Sequence, residues 1–467
     1  MGNLATGLKY KTYPEYREFD VDWLEEIPSH WTVSKLRYLF AFSKGLTITK
    51  DNLLNEGVPC VSYGEIHSKY GFELDPELHP LHCVNNAHLK STPEALLSKG
   101  DLVFADTSED IEGSGNFTQL VSSQQVFAGY HTIIARPGNR KCSRYYAYLL
   151  ESQQVRAQIR NAVKGVKVFS VTQSILRGVC VWIPTLEERE NIVSFLDHET
   201  AKIDALIEKQ QQLIKLLKEK RQAVISHAVT KGLDPNAPMC DSGVEWLGDV
   251  PAHWTVCKIN LLFSESVGRA KTDAEQELPI LSVSIHHGIS DKELNDGELE
   301  RKVQRSEDRS LYKLVHSNYL AYNMMRAWQG GFGASMLSGL ISPAYVVCKP
   351  KTALDSRYFE LALRTSNAVT ELKRYSRGIT DFRLRLYWDE FKNISVPVPP
   401  ADEIEESLKY ISDIELAYKK LERIAEQQIE LLRERRTALI SAAVTGKIDV
   451  RDWKAPEPLK MTKVIAA

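Results

Sequence analysis

The sequence contains no CxxC pair. Its seven cysteines (Cys60, Cys83, Cys142, Cys180, Cys240, Cys257 and Cys348) are scattered and odd in number. That argues against a disulfide framework or a zinc ribbon and for a reducing cytoplasm. Charge of one sign is missing too: 59 Lys+Arg against 61 Asp+Glu leave a net charge of −2. Such a balance does not announce a nucleic-acid binder, yet a basic face can be compensated elsewhere on the surface. No apolar run reaches membrane-spanning length, and the opening MGNLATGLKYKTYPEYREFD has no apolar leader, so no membrane is expected. MGNLAT fits a loose myristoylation pattern, with no second membrane signal beside it.

Signatures of catalysis are missing as well. There is no phosphate-cradling GxxxxGK[ST], no GxGxxG after a strand, no GxSxG elbow and no HExxH. Nor is there an Asn/Asp-Pro-Pro-aromatic tetrapeptide of the kind used in amino-methyl transfer to a base. GGFG at 330–333 reads as a turn. His79, His82 and Cys83 in HPLHC lack further ligands at metal-binding spacing, so they read as surface or core residues. The chain is therefore expected to hold no metal and no cofactor, and to be non-catalytic by itself.

What is present is a duplication, the feature that most constrains a fold. Residues 21–40 read VDWLEEIPSHWTVSKLRYLF and residues 244–263 read VEWLGDVPAHWTVCKINLLF. Trp23, Pro28, His30 and Trp31 recur as Trp246, Pro251, His253 and Trp254 without a gap. RQAVISHAVTKGLD, ending at Asp234, returns as RTALISAAVTGKID, ending at Asp449. At 43% apolar and 26% charged residues, the chain can build real cores. Each copy reads as a mixed α/β globular part followed by a long helix. Short strands rich in β-branched and aromatic residues are expected at VPCVSYGEI, DLVFAD, YHTIIARP and VCVWIP, and again at LPILSVSI, NYLAYNMM, YVVCKP and ISVPVP. Helical stretches follow near 143–163 and 356–375.

The long helices are expected near 186–230 and 401–445. Thr185 with Glu188 forms a capping box after Pro184, and Gly232 and Gly446 sit just past the last apolar positions. Heptad-like spacing selects Ile192, Leu196, Ile203, Leu206, Leu213, Leu217 and Val224 on the first helix. It selects Ile411, Ile414, Tyr418, Leu421, Ala425, Leu432 and Leu439 on the second, with Gln210 and Gln428 as polar members. Helices of about 65 Å with one apolar stripe need a partner. The repeat copy is the obvious one, giving an antiparallel coiled coil with the globular parts at opposite ends. Separate helical hairpins, or coiled-coil dimers between chains, are the alternative. The expected domains are 1–184, a first helix 185–234, 235–399, a second helix 400–449, and a tail 450–467.

Between the repeated blocks the two interiors differ, which points to recognition. KRYSRGITDFRLR at 373–385 gathers Lys373, Arg374, Arg377, Arg383 and Arg385 around Tyr375 and Phe382. The first copy offers Arg156, Arg160, Lys164, Gly165, Lys167 and Phe169 in the same order of basic residue, glycine and Phe. Such stretches can neutralise phosphates and reach base edges, although a solvated charge run is the commoner outcome. Arg326, Trp328 and Gln329, with Asn323, add donors and a stacking surface; the first copy has Asp106–Asp110 there. Lys44, Tyr63, Ser108, Arg160, Lys164, Lys167, Arg269, Lys271, Arg326, Trp328, Gln329, Arg374, Arg377, Arg383 and Arg385 are the candidate DNA contacts.

SGVEWLGDVPAHWTVCK (242–258) and NMMRAWQGGFGASMLSGLISPAYVV (323–347) resemble motifs of the DNA-specificity subunits of type I restriction-modification systems. The stretch from Pro184 to Asp234 resembles their central helical region. The resemblance spans about Tyr13 to Asp449, with several long motifs in order. It implies two target-recognition domains, each binding half of a split double-stranded DNA sequence, spaced by an antiparallel coiled coil. It also implies docking of two modification (methyltransferase) subunits that bring S-adenosylmethionine, with restriction (ATP-dependent nuclease/translocase) subunits joining in some complexes. FADTSEDIEG at 104–113, where the second copy has YNMMRAWQGG, departs from a common pattern, so base contacts do not transfer by position. A coiled-coil scaffold whose globular parts bind proteins or glycans, and an enzyme with an unrecognised site, are the competing readings.

Overall fold

A computed structural model describes residues 10–21, 24–165, 167–285, 288–290, 309–378 and 383–456. The chain divides into two compact units. The first comprises residues up to Gln210 together with those from Gln427 onward; the second is Gln211–Glu426. Both divisions fall inside the long helices Leu186–Lys231 and Ala401–Val444, so each unit owns half of each.

The two units repeat one sheet. In the first, the order is Phe40–Lys44, Thr132–Pro137, Leu102–Ala105, Phe117–Leu120 and Phe72–Leu74. In the second it is Phe263–Glu265, Tyr345–Pro350, Leu320–Asn323 and Phe332–Ala334. The central strand of the first sheet is buried on both faces. Leu102 and Phe104 join the helix-covered core, while Val103 and Ala105 face a smaller four-stranded sheet. Leu320 and Tyr322 repeat the arrangement against Ala321. The sequence of the strand shows why: LVFA and the LAY of Leu320–Asn323 are unbroken apolar runs, which suit a strand covered on two sides. Each expected helical stretch is two helices, Ser143–Glu151 with Gln153–Ala162, and Ser356–Leu363 with Ser366–Tyr375. The breaks fall at Ser152 and Thr365, extended residues that start the next helix.

The repeated Pro-x-His-Trp block is the seat of the long helices. In the first unit, His30 Nε2 lies 2.7 Å from Glu188 Oε1, in the first turn of Leu186–Lys231. In the second, His253 Nε2 lies 2.6 Å from Glu403 Oε1, in the first turn of Ala401–Val444. The same block receives the end of the other helix. Gly446 lies against Pro28 and Trp31, and Gly232 against Pro251 and Trp254, both in the left-handed region (φ +77° and +78°) that closes a helix most cheaply with glycine. The capping box forms as expected: Glu188 N donates to Thr185 Oγ1 and Thr185 N donates to Glu188 Oε2. Burial pushes the Glu188 carboxyl up, but hydrogen bonds from His30 and Thr185 outweigh it and hold the group below the usual carboxylate range. Where the second unit has continuous chain after Gly232, the first joins two segments, with an antiparallel bridge between Lys11 and Asp449.

Within each unit the helix halves run antiparallel. Arg436 pairs with Asp204 at 2.9 Å in the first unit, and Arg221 with Glu422 at 3.2 Å in the second. The seam differs from the expected one. Ile192, Leu196, Ile203, Ile411, Ala425 and Leu439 are buried, and Leu217, Val224, Ile414, Tyr418 and Leu432 are half-buried. Leu206, Leu213 and Leu421, however, are 46%, 43% and 48% exposed. Their neighbours Ile207, Ile214 and Glu422 face inward instead, and Ile429 replaces Gln428. Leu-Ile neighbours at 206–207 and 213–214 give periodicity no way to choose between adjacent positions, and Glu422 is held inward by its ion pair with Arg221. A straight helix also drifts about 20° per heptad, so a counted stripe slips by one residue.

Candidate nucleic-acid interface

The matching sheets turn one end outward in the same way. At that end the central strand runs into a hairpin loop, and the antiparallel strand beside it begins. In the first unit, Asp106 follows the central strand; its N–H donates to His131 O (3.1 Å) and its carbonyl accepts from Val171 N (2.8 Å). In the second unit Met324 holds the same place; its N–H donates to Ala344 O (3.4 Å) and its carbonyl accepts from Leu386 N (3.0 Å). The backbone frame is thus repeated bond for bond. It brings the loop 106–116 against Val171 in the first unit, and the loop 324–331 against Leu386 in the second.

In the first unit, Thr107 and Ser108 pair with Ser170 and Phe169, which draws the loop bearing Lys164 and Lys167 up to the hairpin. Both lysines are exposed, and no ion pair holds them among the described residues. Arg160 is tied to Glu112 at 2.8 Å, within the same loop system. Lys44 is exposed at the end of Phe40–Lys44, opposite Ile133, at the same end of the sheet. Tyr63 begins a short helix and meets Tyr130 and His131 edge-on, with ring centroids 5.6 and 5.4 Å away. Burial, then Glu65, pushes the Tyr130 phenol up, so it remains a hydroxyl donor. His67 lies with Nε2 2.7 Å from Thr107 O and Nδ1 3.0 Å from Asn116 Nδ2, bracing the hairpin loop. Ser108 was expected as a contact, but it is 6% exposed, and its Oγ accepts from Asp110 N inside the loop. A short side chain in a tight turn bonds its own backbone in preference to a ligand.

In the second unit, Arg326, Trp328 and Gln329 lie in the hairpin loop. Arg326 Nη1 donates to Gln329 Oε1 (2.9 Å), and Trp328 Nε1 donates to Met325 O (3.0 Å). Lys373 stands 5.5 Å from the Trp328 ring. Arg377 and Arg385 exchange both backbone hydrogen bonds, at 2.8 and 2.9 Å, closing the second loop at its base. Arg383 is exposed on that loop and Arg385 is half-buried; Phe382, expected to anchor it, lies outside the described residues. Two of the expected phosphate contacts already hold carboxylates: Arg374 pairs with Glu245 and Glu371 (2.7 and 2.9 Å), and Arg377 pairs with Glu390. Arg269 and Lys271 are exposed in the loop after Phe263–Glu265, where Arg269 forms a β-bridge with Lys313. His79, from the HPLHC cluster, accepts from Asp75 N and stacks on Tyr70, which gives it a place in a turn.

Two residues on this rim escaped the sequence reading: Tyr130 and His131. The usable signal was slight, a histidine directly before a strand and after Gly129. Its left-handed backbone (φ +56°) becomes visible only in three dimensions.

A mixed α/β frame repeated with unlike rims, each copy holding half of both long helices, defines a duplicated two-unit protein. Residues 28–216 match the type I restriction modification DNA specificity domain. The specificity subunit of the type I restriction enzyme EcoKI from Escherichia coli (strain K12) is 22% identical over 241 residues, 50% of this chain and 48% of that protein. The StySPI specificity subunit from Salmonella potsdam is 22% identical over 227 residues, 47% of each. The chain thus spans about half the length of the relatives it matches. A solved structure concerned with complex assembly and conformational transition of the type I R-M system shares the fold: 16% identity, 90% of this chain and 99% of that one covered, TM-score 0.56. Over these segments the chain is similar to type I restriction-modification DNA-specificity subunits. Among the described residues no helix is long and apolar enough to cross a membrane.

Proposed function

We propose that this chain selects the target of a type I restriction-modification complex in the cytoplasm. Each globular part reads one half of an asymmetric, bipartite double-stranded DNA sequence. The paired long helices set the distance between the halves and dock two methyltransferase subunits, and restriction subunits join where the system has them. Methyl transfer from S-adenosylmethionine belongs to the partner subunits, and this chain contributes only recognition. The observation that carries this reading is the repeated backbone frame at the rim, with Asp106 and Met324 in equivalent places and different side chains around them.

Recognition follows from the chemistry of the two rims. The major groove distinguishes all four base pairs, so loops must reach it with directional donors and acceptors. In the second unit the Arg326 guanidinium, steadied by Gln329 Oε1, offers a fork of donors for the acceptors of a guanine edge. Lys164 and Lys167 supply point charges for phosphates, which position the domain without reading sequence. Arg374 and Arg377, already neutralised by carboxylates, act as braces for the loop base.

Methylome sequencing with and without the gene tests the reading, and a bipartite motif that vanishes with the gene is the expected result. Replacing residues 264–395 with a relative's segment should then change one half of the motif. A change in both halves would overturn modular reading. Removing one heptad from each long helix should alter the spacer or abolish assembly; an unchanged spacer would refute the ruler role.

A further inference from the structure

Asp106 and His131 occupy the places that Met324 and Ala344 hold in the second unit, joined by the same backbone hydrogen bonds. One frame thus carries an acid–imidazole pair in the first unit and two apolar side chains in the second. His131 Nδ1 donates to Asp106 Oδ1 at 3.1 Å, which leaves the ring's Nε2 directed away from its partner. No hydrogen bond engages that nitrogen among the described residues. The ring is exposed, and its backbone is left-handed (φ +56°), a conformation a non-glycine residue rarely takes. Such outliers persist where surrounding structure enforces them, and they cluster at binding sites. Here the enforcement is visible: the Asp106 hydrogen bonds, the Tyr63 edge, and the adjoining Tyr130 all converge on this residue. The charged and titratable groups around the ring are Asp106 beside the central strand, Tyr63 and His67 on the short helix, Tyr130 next to it in sequence, and Lys44 at the end of the edge strand.

We infer that Asp106 and His131 form the specificity-determining pair of the first unit. They read an exocyclic amino group in the major groove, cytosine N4 or adenine N6. This rests on the DNA-reading function proposed above. The Asp106 carboxylate can only accept hydrogen bonds, and the bond from Nδ1 holds the imidazole with its Nε2 edge open beside that acceptor. Acceptors select amino edges, as Asp and Glu do with cytosine N4. The second unit, with Met324 and Ala344 at these places, reads through Arg326 and Gln329 instead. The two half-sites are therefore distinguished by opposite hydrogen-bond polarity.

The test uses the complex reconstituted with its methyltransferase subunits, on duplexes in which each base pair of the target is changed in turn. Two substitutions that remove the acceptors are compared, Asp106→Ala and His131→Gly; glycine also tolerates the left-handed backbone. Discrimination at one base pair of the first half-site should fall by about 10- to 100-fold, as loss of one good base contact predicts. The second half-site and the slope of log affinity against log salt should stay as in the wild type, and thermal unfolding confirms that the variants fold. Retained discrimination in the first half-site would overturn the inference. So would a salt slope reduced by about one unit, which marks a phosphate contact, or relaxation of both half-sites together. A wild-type complex without bipartite discrimination would instead overturn the functional reading, and the pair's role with it.

Discussion

Substituting alanine at the two glycines that close the long helices gives a test in which geometry alone sets the outcome. Both residues are left-handed, at φ +78° for Gly232 and +77° for Gly446. An L side chain there costs about 1–2 kcal/mol. Their surroundings differ. A Cβ on Gly446 would sit 2.4 Å from Pro28 Cγ, 2.5 Å from Pro28 Cδ and 3.1 Å from Trp31 Cη2, all parts of rigid rings. A Cβ on Gly232 would meet Trp254 Cζ2 at 3.2 Å, a tight contact that a shift of a few tenths of an ångström relieves, and Pro251 Cγ at 3.7 Å, an ordinary one. Overpacking of the first kind adds about 1–3 kcal/mol. Gly446→Ala should therefore cost about 2–5 kcal/mol, and Gly232→Ala about 1–2 kcal/mol. Calorimetry of the whole chain reads the difference. A unit of this size loses roughly 2–4 °C of Tm per kcal/mol, so Gly446→Ala should melt roughly 5–15 °C low and Gly232→Ala only a few degrees low. Equal losses would refute the packing argument. Stabilisation by either substitution, as happens where alanine merely stiffens the unfolded chain, would refute the left-handed assignment.

The corrected helix seam predicts that Ile203→Ala costs about 2–5 kcal/mol in chemical denaturation, while Leu206→Ala stays within about 0.5 kcal/mol; the reverse order would restore the counted heptad. The depressed Glu188 carboxyl contributes stability that is complete above the unfolded value of about 4.3 and is lost as pH falls through the folded value. The gap in unfolding free energy between wild type and Glu188→Gln should then close between roughly pH 5 and pH 3, and a gap independent of pH would count against the His30 and Thr185 bonds. Arg326→Ala should weaken binding of the cognate duplex by about 1–3 kcal/mol and relax one base pair of its half-site, measured by competition between duplexes; uniform weakening across sequences would demote it to a phosphate contact. Replacing Lys164 and Lys167 with alanine should leave the motif intact and lower the salt slope by roughly one unit per phosphate lost.

The sequence by itself determined the duplication, the mixed α/β class of each copy, and both long helices almost to the residue. Those features are local or periodic. A capping box at Thr185–Glu188, a glycine past each helix end, and unbroken apolar runs such as LVFA are legible in one dimension because their physics acts over a few neighbouring residues. The repeated Pro-x-His-Trp block was equally plain, but its purpose was not. Only the tertiary structure set His30 against Glu188 and Gly446 against Pro28, partners more than a hundred residues away in sequence.

The rim was legible as a cluster of basic residues and illegible as a site. Composition counted Arg160, Arg374 and Arg377 as available cations, whereas Glu112, Glu245, Glu371 and Glu390 already neutralise them. Ser108 is a polar residue on a polar segment, yet its own loop buries it. The seam of the helices slipped by one position where adjacent apolar residues competed, since burial depends on what packs opposite. Asp106 and His131 lie 25 residues apart and share no motif. What joins them is pairing between neighbouring strands, a long-range contact that residue type and spacing do not encode. Local propensity fixed the elements and their repetition; strand pairing and charge compensation across the folded chain decided which side chains face outward, and therefore what each rim can read.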